Sequence, residues 1–241
     1  MNEILVITRS KLDEYKRLLE AARLSDATFY FADSPTTGMS IAATCNIWFG
    51  SPSMIAPLLK EGLLPQWIQS MWAGIEPFVQ PDMPTGYTLT NMRGIFNALI
   101  AEYAVGHIFS HALNYRQHLS SQSEQRWNPL WPQRVAGKRV GILGVGEIGG
   151  EVARLCRAVG LTVWGYTRTS EGCPYIDRYF HGEGLGEMAE GVDFLISIMP
   201  NTPASSNLLN RDIFKRMKST ALLINAGRGS AIVDDSLLWA L

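Results

Sequence analysis

Gly144-Val145-Gly146-Glu147-Ile148-Gly149 carries glycines at the spacing G-x-G-x-x-G. It directly follows the apolar run Arg139–Leu143 and opens a helical pattern, Ile148–Val159, and that context gives the spacing its meaning. Gly144 permits the tight turn, Gly146 lets the main chain approach a pyrophosphate, and Gly149 lets the helix lie close on the strand. The helix N-terminus, beginning at Glu147 and Ile148, offers unpaired N–H groups and a positive dipole end to an anion. This chemistry binds a dinucleotide.

The next apolar run, Leu161–Tyr166, ends in Thr167-Arg168-Thr169-Ser170. A dinucleotide site selective for NAD places Asp or Glu there to bond the ribose 2′-hydroxyl. This chain offers a guanidinium flanked by hydroxyls, a set suited to a 2′-phosphate by charge and by its forked donors. NADP(H) is therefore the expected cofactor, with NAD(H) as second choice. Arg228 follows another apolar run, Ala221–Ile224, at the carboxyl edge where open α/β sheets bind ligands.

The remaining reactive side chains form no recognisable set. His107 and His111 are four apart on a helical stretch, but there is no H-E-x-x-H and no third ligand, so no metal site is expected. His118 lies on the same stretch, and His181, in Tyr179-Phe180-His181-Gly182, reads as structural. Cys45, Cys156 and Cys173 are scattered without a pairing pattern, the usage of a reducing compartment, and the expected location is cytoplasmic.

The elements that must position these groups are strands and helices in alternation. In the first part of the chain, strands are expected at Ile4–Ile7, Ala27–Phe31, Ile47–Phe49, Trp67–Trp72 and Tyr87–Thr90. Helices are expected after a Ser10 cap and after Ser51-Pro52, the latter reaching Leu59. A long helix, Ile95–Ser120, then precedes the irregular segment Trp127-Asn128-Pro129-Leu130-Trp131-Pro132. Strands at Arg139–Leu143, Leu161–Tyr166, Asp193–Ile198 and Ala221–Ile224, with a helix near Asn210–Met217, make a second unit. Strand–helix–strand order predicts parallel sheets with right-handed crossovers. The expected architecture is α/β in two domains, 1–94 and 95–241.

Composition narrows the partners. The chain has 241 residues, 46% hydrophobic, which suffices for real cores. Lys+Arg 21 against Asp+Glu 22 leaves a net charge of −1, so no basic stripe serves a nucleic-acid backbone. No apolar run approaches the ~18 residues of a membrane span.

With these motifs in place, the sequence resembles the D-isomer-specific 2-hydroxyacid dehydrogenases, essentially throughout and most strongly from Val140 onward. Ile198-Met199-Pro200-Asn201-Thr202-Pro203 is similar to the family's loop beside the nicotinamide ribose, which assigns Met199, Pro200 and Thr202 to the cofactor. Leu223-Ile224-Asn225-Ala226-Gly227-Arg228-Gly229, with Val233-Asp234 beyond, resembles its arginine signature, placing Ala226 and Gly227 at the cofactor and Arg228 at the reacting centre. Ser70-Met71-Trp72-Ala73-Gly74-Ile75-Glu76 resembles the turn whose backbone faces the substrate carboxylate, with Glu76 where Asp is commoner.

Together with Thr167-Arg168-Thr169, and with Trp48 and Trp72 to narrow the site, the likeness is greatest to the glyoxylate/hydroxypyruvate reductase branch. The resemblance implies a flavodoxin-like substrate domain followed by a Rossmann domain, and a homodimer through the second domain. It also implies that a small 2-keto acid is reduced to the D-2-hydroxy acid by NAD(P)H, with Trp48, Trp72, Ala73 and Gly74 at the substrate.

The family's general acid, a histidine oriented by a glutamate, lies downstream of the arginine signature, and neither residue occurs between Arg228 and Leu241. Val233–Leu241 reads as the start of a helix capped by Asp234, so the 241 residues are expected to be a fragment of a longer enzyme. The alternative is a catalytically inactive dinucleotide-binding relative acting as an interaction or sensing protein.

Overall fold

The computed structural model describes residues 1–241 and divides the chain into two compact units, Met1–Arg93 and Gly94–Leu241. In the first unit β1 (Asn2–Ile7), α1 (Leu12–Ala21), β2 (Ala27–Ala32), α2 (Pro35–Ala42), β3 (Ile47–Gly50), α3 (Pro52–Lys60), β4 (Trp67–Ser70) and β5 (Thr88–Thr90) follow in turn. The strands form one parallel sheet in the order β2-β1-β3-β4-β5, a flavodoxin-like arrangement. Parallel strands covered on both faces need near-continuous apolar runs. Leu5, Val6 and Ile7 meet that need and are fully buried, with Trp48, Ile55, Leu58 and Ile68 in the same unit.

The second unit holds α4 (Asn97–Ala112), α5 (Tyr115–Ser123), β6 (Arg139–Leu143), α6 (Glu147–Ala158), β7 (Thr162–Tyr166), β8 (Arg178–Phe180), α7 (Leu185–Gly191), β9 (Phe194–Ser197), α8 (Arg211–Arg216), β10 (Leu222–Asn225) and α9 (Asp234–Ala240). Its parallel sheet runs β10-β9-β6-β7-β8, so the chain reverses direction across the sheet at β6, between β7 and β9. That is the Rossmann order, with the ligand crevice at the switch point. Ala101, Ala104 and Ile108 of α4 pack with Val152, Ala153 and Cys156 of α6 over Val140 and Ile142. Burial pushes the Cys156 thiol up to about 12, which leaves it an inert core group.

Several expectations about local structure are corrected. The long helix is two helices, because Asn114 takes a left-handed conformation (φ 54°) and its side chain donates to the Trp131 carbonyl at 3.1 Å. Asn tolerates that conformation better than most residues. Ser10 does not cap α1, whose preceding residue is a left-handed Lys11 without a capping side chain. Asp234 is the first residue of α9 rather than its cap. The strand expected to reach Trp72 stops at Ser70.

Candidate dinucleotide and substrate site

The glycine motif sits between β6 and α6. Gly144 has φ 94°, a left-handed turn open to glycine. A Cβ on Gly149 would lie 2.0 Å from the Gly144 carbonyl oxygen, so only glycine lets α6 lie this close to the turn. Gly146, by contrast, faces open space, with nothing within 4 Å of an added Cβ. No side chain caps the N-terminus of α6, which leaves its first N–H groups available to an anion.

Beside the turn is a cavity of about 470 Å³, lined by Gly144, Thr167, Arg168, Met199, Pro200 and Thr202 among others. Arg168 is its only charged lining residue, and no carboxylate lines it. The uncapped helix, the open approach at Gly146 and this cavity together fit a dinucleotide. Of the expected cofactor residues, Gly146, Glu147, Ile148, Gly149, Thr169, Ala226 and Gly227 do not line the cavity. Gly149 is a buried packing residue, whereas Glu147 and Thr169 are exposed. Tyr166, Gly182, Ala204, Ser205 and Leu208 also line it. Their only sequence signal was proximity to the motif loops.

The wall made by Met199–Ser205 is internally braced. The Thr202 N–H donates to Ser205 Oγ at 3.0 Å, and the Ser205 N–H donates to Thr202 Oγ1 at 3.3 Å. The Arg228 loop leans on this wall: Ser230 Oγ donates to Asn201 Oδ1 at 2.8 Å, and the Asn207 N–H to the Ser230 carbonyl at 2.8 Å. Gly227 passes so close to Met199 that an added Cβ would sit 2.8 Å from its carbonyl oxygen. Asn225 fixes the turn from within, donating to the Arg228 carbonyl at 2.9 Å and accepting from the Gly227 N–H at 3.2 Å. Arg228 is half-buried.

In the first unit, a hydrogen-bonded chain sets the turn after β4. Buried Ser70 bonds both ends of Trp72: its Oγ accepts from the Trp72 N–H at 3.0 Å and donates to the Trp72 carbonyl at 2.9 Å. Asn91 Nδ2 donates to the Ala73 carbonyl at 2.7 Å. This holds Trp72, Ala73 and Gly74 in one conformation, with Trp72 52% exposed. Trp48 is different. Its side chain is 0% exposed within the core of its own unit, and a side chain without exposed surface lines no pocket. Of the two expected aromatic residues, only Trp72 has exposed surface.

His107 and His111 of α4 have aromatic neighbours, while His118 of α5 is exposed. His107 stacks edge-on against Tyr103, with ring centroids 4.4 Å apart, and His111 meets Phe194 at 6.5 Å. His181 bridges Thr167 and Glu171. The Glu171 carboxylate and the Thr167 carbonyl raise its pKa above the usual histidine value.

Residues 105–241 match the model of the D-isomer specific 2-hydroxyacid dehydrogenase NAD binding domain. The chain belongs to that family. Among relatives, it is 28% identical over 179 residues to glyoxylate/hydroxypyruvate reductase A of Serratia proteamaculans (strain 568), covering 71% of this chain and 57% of that one. The chain thus spans little more than half the length of the curated relatives it matches.

A D-isomer specific 2-hydroxyacid dehydrogenase family protein of Aeromonas salmonicida subsp. salmonicida superposes with a TM-score of 0.92 at 29% identity, covering 100% of this chain and 78% of that one. An NADPH-dependent glyoxylate/hydroxypyruvate reductase of Sinorhizobium meliloti, solved with NADP and sulfate, shares the fold at TM-score 0.81 and 20% identity, covering 99% and 77%. No helix is long and apolar enough to cross a membrane.

Proposed function

We propose that this chain carries the cofactor-binding and substrate-orienting parts of an NADP(H)-preferring reductase that converts a small 2-keto acid of the glyoxylate/hydroxypyruvate type to its D-2-hydroxy acid. One observation carries the cofactor choice: Arg168, beside Thr167, is the sole charge lining the cavity, with no carboxylate to receive a free 2′-hydroxyl. The names of the relatives, glyoxylate/hydroxypyruvate reductase A, support the substrate class. The NADP bound in the Sinorhizobium meliloti enzyme is in keeping with the cofactor.

When bound, the cofactor supplies the hydride. The chain's own residues bind and orient. Gly144 and Gly146 admit the pyrophosphate to the α6 N-terminus, and Thr167, Arg168 and Thr169 take the adenosine ribose phosphate. Met199, Pro200, Thr202, Ala226 and Gly227 border the nicotinamide ribose. Arg228, through its forked donors, would hold the keto acid's carboxylate and polarise its carbonyl. The Trp72-Ala73-Gly74 turn would meet the same carboxylate. The unpaired cysteines are in keeping with a reducing, cytoplasmic setting.

Arg168→Ala tests the cofactor choice. It is expected to weaken NADPH binding by roughly 1.5–3 kcal/mol, the value of a charge-assisted hydrogen bond, and to leave NADH binding unchanged. Equal losses for both cofactors, measured by equilibrium titration, would rule the role out.

A homodimer through the second unit belongs to the same reading. Trp127 and Trp131, in the segment after α5, are each 91% exposed, an extent of bare aromatic surface that marks contact sites. The double variant Trp127→Ser/Trp131→Ser is expected to sediment as a monomer where the parent is a dimer. A monomeric parent, or an unaltered dimer in the variant, contradicts this interface.

A further inference from the structure

The segment that carries Arg168 is held from behind by one side chain. His181 Nδ1 lies 2.9 Å from the Thr167 carbonyl oxygen and 3.3 Å from Thr167 Oγ1, while its Nε2 lies 2.7 Å from Glu171 Oε1. A carbonyl and a carboxylate can only accept hydrogen bonds. Thr167 Oγ1 has already committed its proton to the Ser170 carbonyl at 2.8 Å, so it too accepts. Both contacts are satisfied together only when both ring nitrogens donate, which is the imidazolium form. The cation spans the two ends of the Thr167–Glu171 loop, and Arg168 sits inside the span. A second tie runs alongside, from Tyr166 Oη to the Gly182 carbonyl at 3.0 Å. Tyr166, Thr167, Arg168 and Gly182 all line the cavity, so the latch stands directly behind its wall.

We propose that the His181–Glu171 latch is a positioning device for cofactor selectivity: the doubly donating imidazolium orders the Arg168 loop for the 2′-phosphate, and loss of its proton releases the loop. This rests on the NADP(H) reading above. Neutral imidazole carries one N–H, so it can keep the Thr167 carbonyl or Glu171, but not both.

The sign follows from the direction of the histidine's shift. His181 binds its proton more tightly here than in a free chain, so the latch is complete below the ordinary histidine range and undone as pH rises through the raised value. Tyr179 of β8 stacks parallel to the ring at 6.5 Å and Glu171 is bonded to it, whereas Arg178 of β8 turns the other way, onto Phe180 and Glu187. The remaining titratable or charged residues close in sequence are Arg168 and Cys173 of the loop and Glu183 of the following turn.

The test uses 2′,5′-ADP and 5′-AMP, which probe the adenosine end without any reaction, with calorimetric dissociation constants from about pH 6 to about pH 9. A phosphate monoester takes its second charge near pH 6, so the variant His181→Ala, which shares that titration, provides the baseline. The parent is expected to prefer 2′,5′-ADP over 5′-AMP roughly two- to fivefold more strongly than His181→Ala at the acid end, the scale of a partly exposed ion pair acting on a loop. The two curves should converge at the alkaline end. Glu171→Gln, which keeps an acceptor but removes the charge, should move the parent's fall in preference to lower pH.

A preference in His181→Ala that matches the parent at every pH overturns the latch and leaves the cofactor reading standing, as does an unmoved profile in Glu171→Gln. Should His181→Ala fail to fold, the Glu171→Gln profile decides. A parent with no preference for 2′,5′-ADP at any pH overturns the cofactor reading and the latch with it.

Discussion

On the proposed reading, replacing Arg228 by alanine in the full-length protein is expected to lower kcat/KM for the keto acid by about 10²–10³-fold, the cost of removing a donor aimed at developing charge on oxygen. NADPH affinity should change much less, because Asn225 and Ser230 brace the Arg228 loop through their own hydrogen bonds, and the guanidinium adds a longer one, 3.3 Å, to the neighbouring Gly227 carbonyl. Arg228→Lys separates charge from geometry. Lysine keeps the cation but loses the fork, so the larger part of the loss should remain. Steady-state kinetics of the two variants beside cofactor titrations check this, and near-normal turnover in the lysine variant would contradict the role.

The second large effect separates two glycines of one motif. Gly149→Ala places a methyl 2.0 Å from a backbone oxygen that cannot move away without shifting the turn. The expected cost is about 1–3 kcal/mol or more, read as a melting temperature lower by roughly 2–4 °C per kcal/mol. At Gly146 an added Cβ meets nothing within 4 Å and the backbone is extended, so Gly146→Val should lower the melting temperature far less than Gly149→Ala. Its branched side chain would stand where the pyrophosphate approaches, and dinucleotide affinity should fall more than about tenfold, over 1.4 kcal/mol. If Gly146→Val melts as early as Gly149→Ala, or still binds cofactor as the parent does, the assignment of open space at Gly146 to the ligand fails.

The motif could be read from sequence because its physics is local. A strand, a left-handed turn and an amphipathic helix follow from residues 139–158 alone, and the absent carboxylate after Tyr166 is read directly from residues 167–170. Elements that depend on distant partners left weaker traces. β8 is three residues long and exists through its pairing with β7, Trp164 to Arg178 and Tyr166 to Phe180, so no run of its own announces it. α2 has only Met39 and Ile41 as large apolar residues, yet Ser34 and Pro35 repeat the Ser-Pro pair that opens α3, and Ser34 Oγ accepts from the Thr37 N–H where Ser51 makes no such cap. That signal was available in the sequence.

Trp48 shows the reverse failure. An aromatic near a substrate motif suggested a wall, but its position in the middle of a parallel sheet, opposite Leu5 and Ile68, commits it to the core. His181 was legible only as a loop residue, because its two acceptors come from a segment ten or more residues earlier in the chain.

The most direct test of the central claim is oxidation of NADPH and of NADH by the full-length protein with glyoxylate and with hydroxypyruvate. The account predicts turnover with at least one of the two acids and kcat/KM higher with NADPH by about tenfold or more, the 1.4 kcal/mol or more that a charge-assisted contact to the 2′-phosphate supplies. Turnover that favours NADH, or none with either acid while NADPH binds, would contradict it.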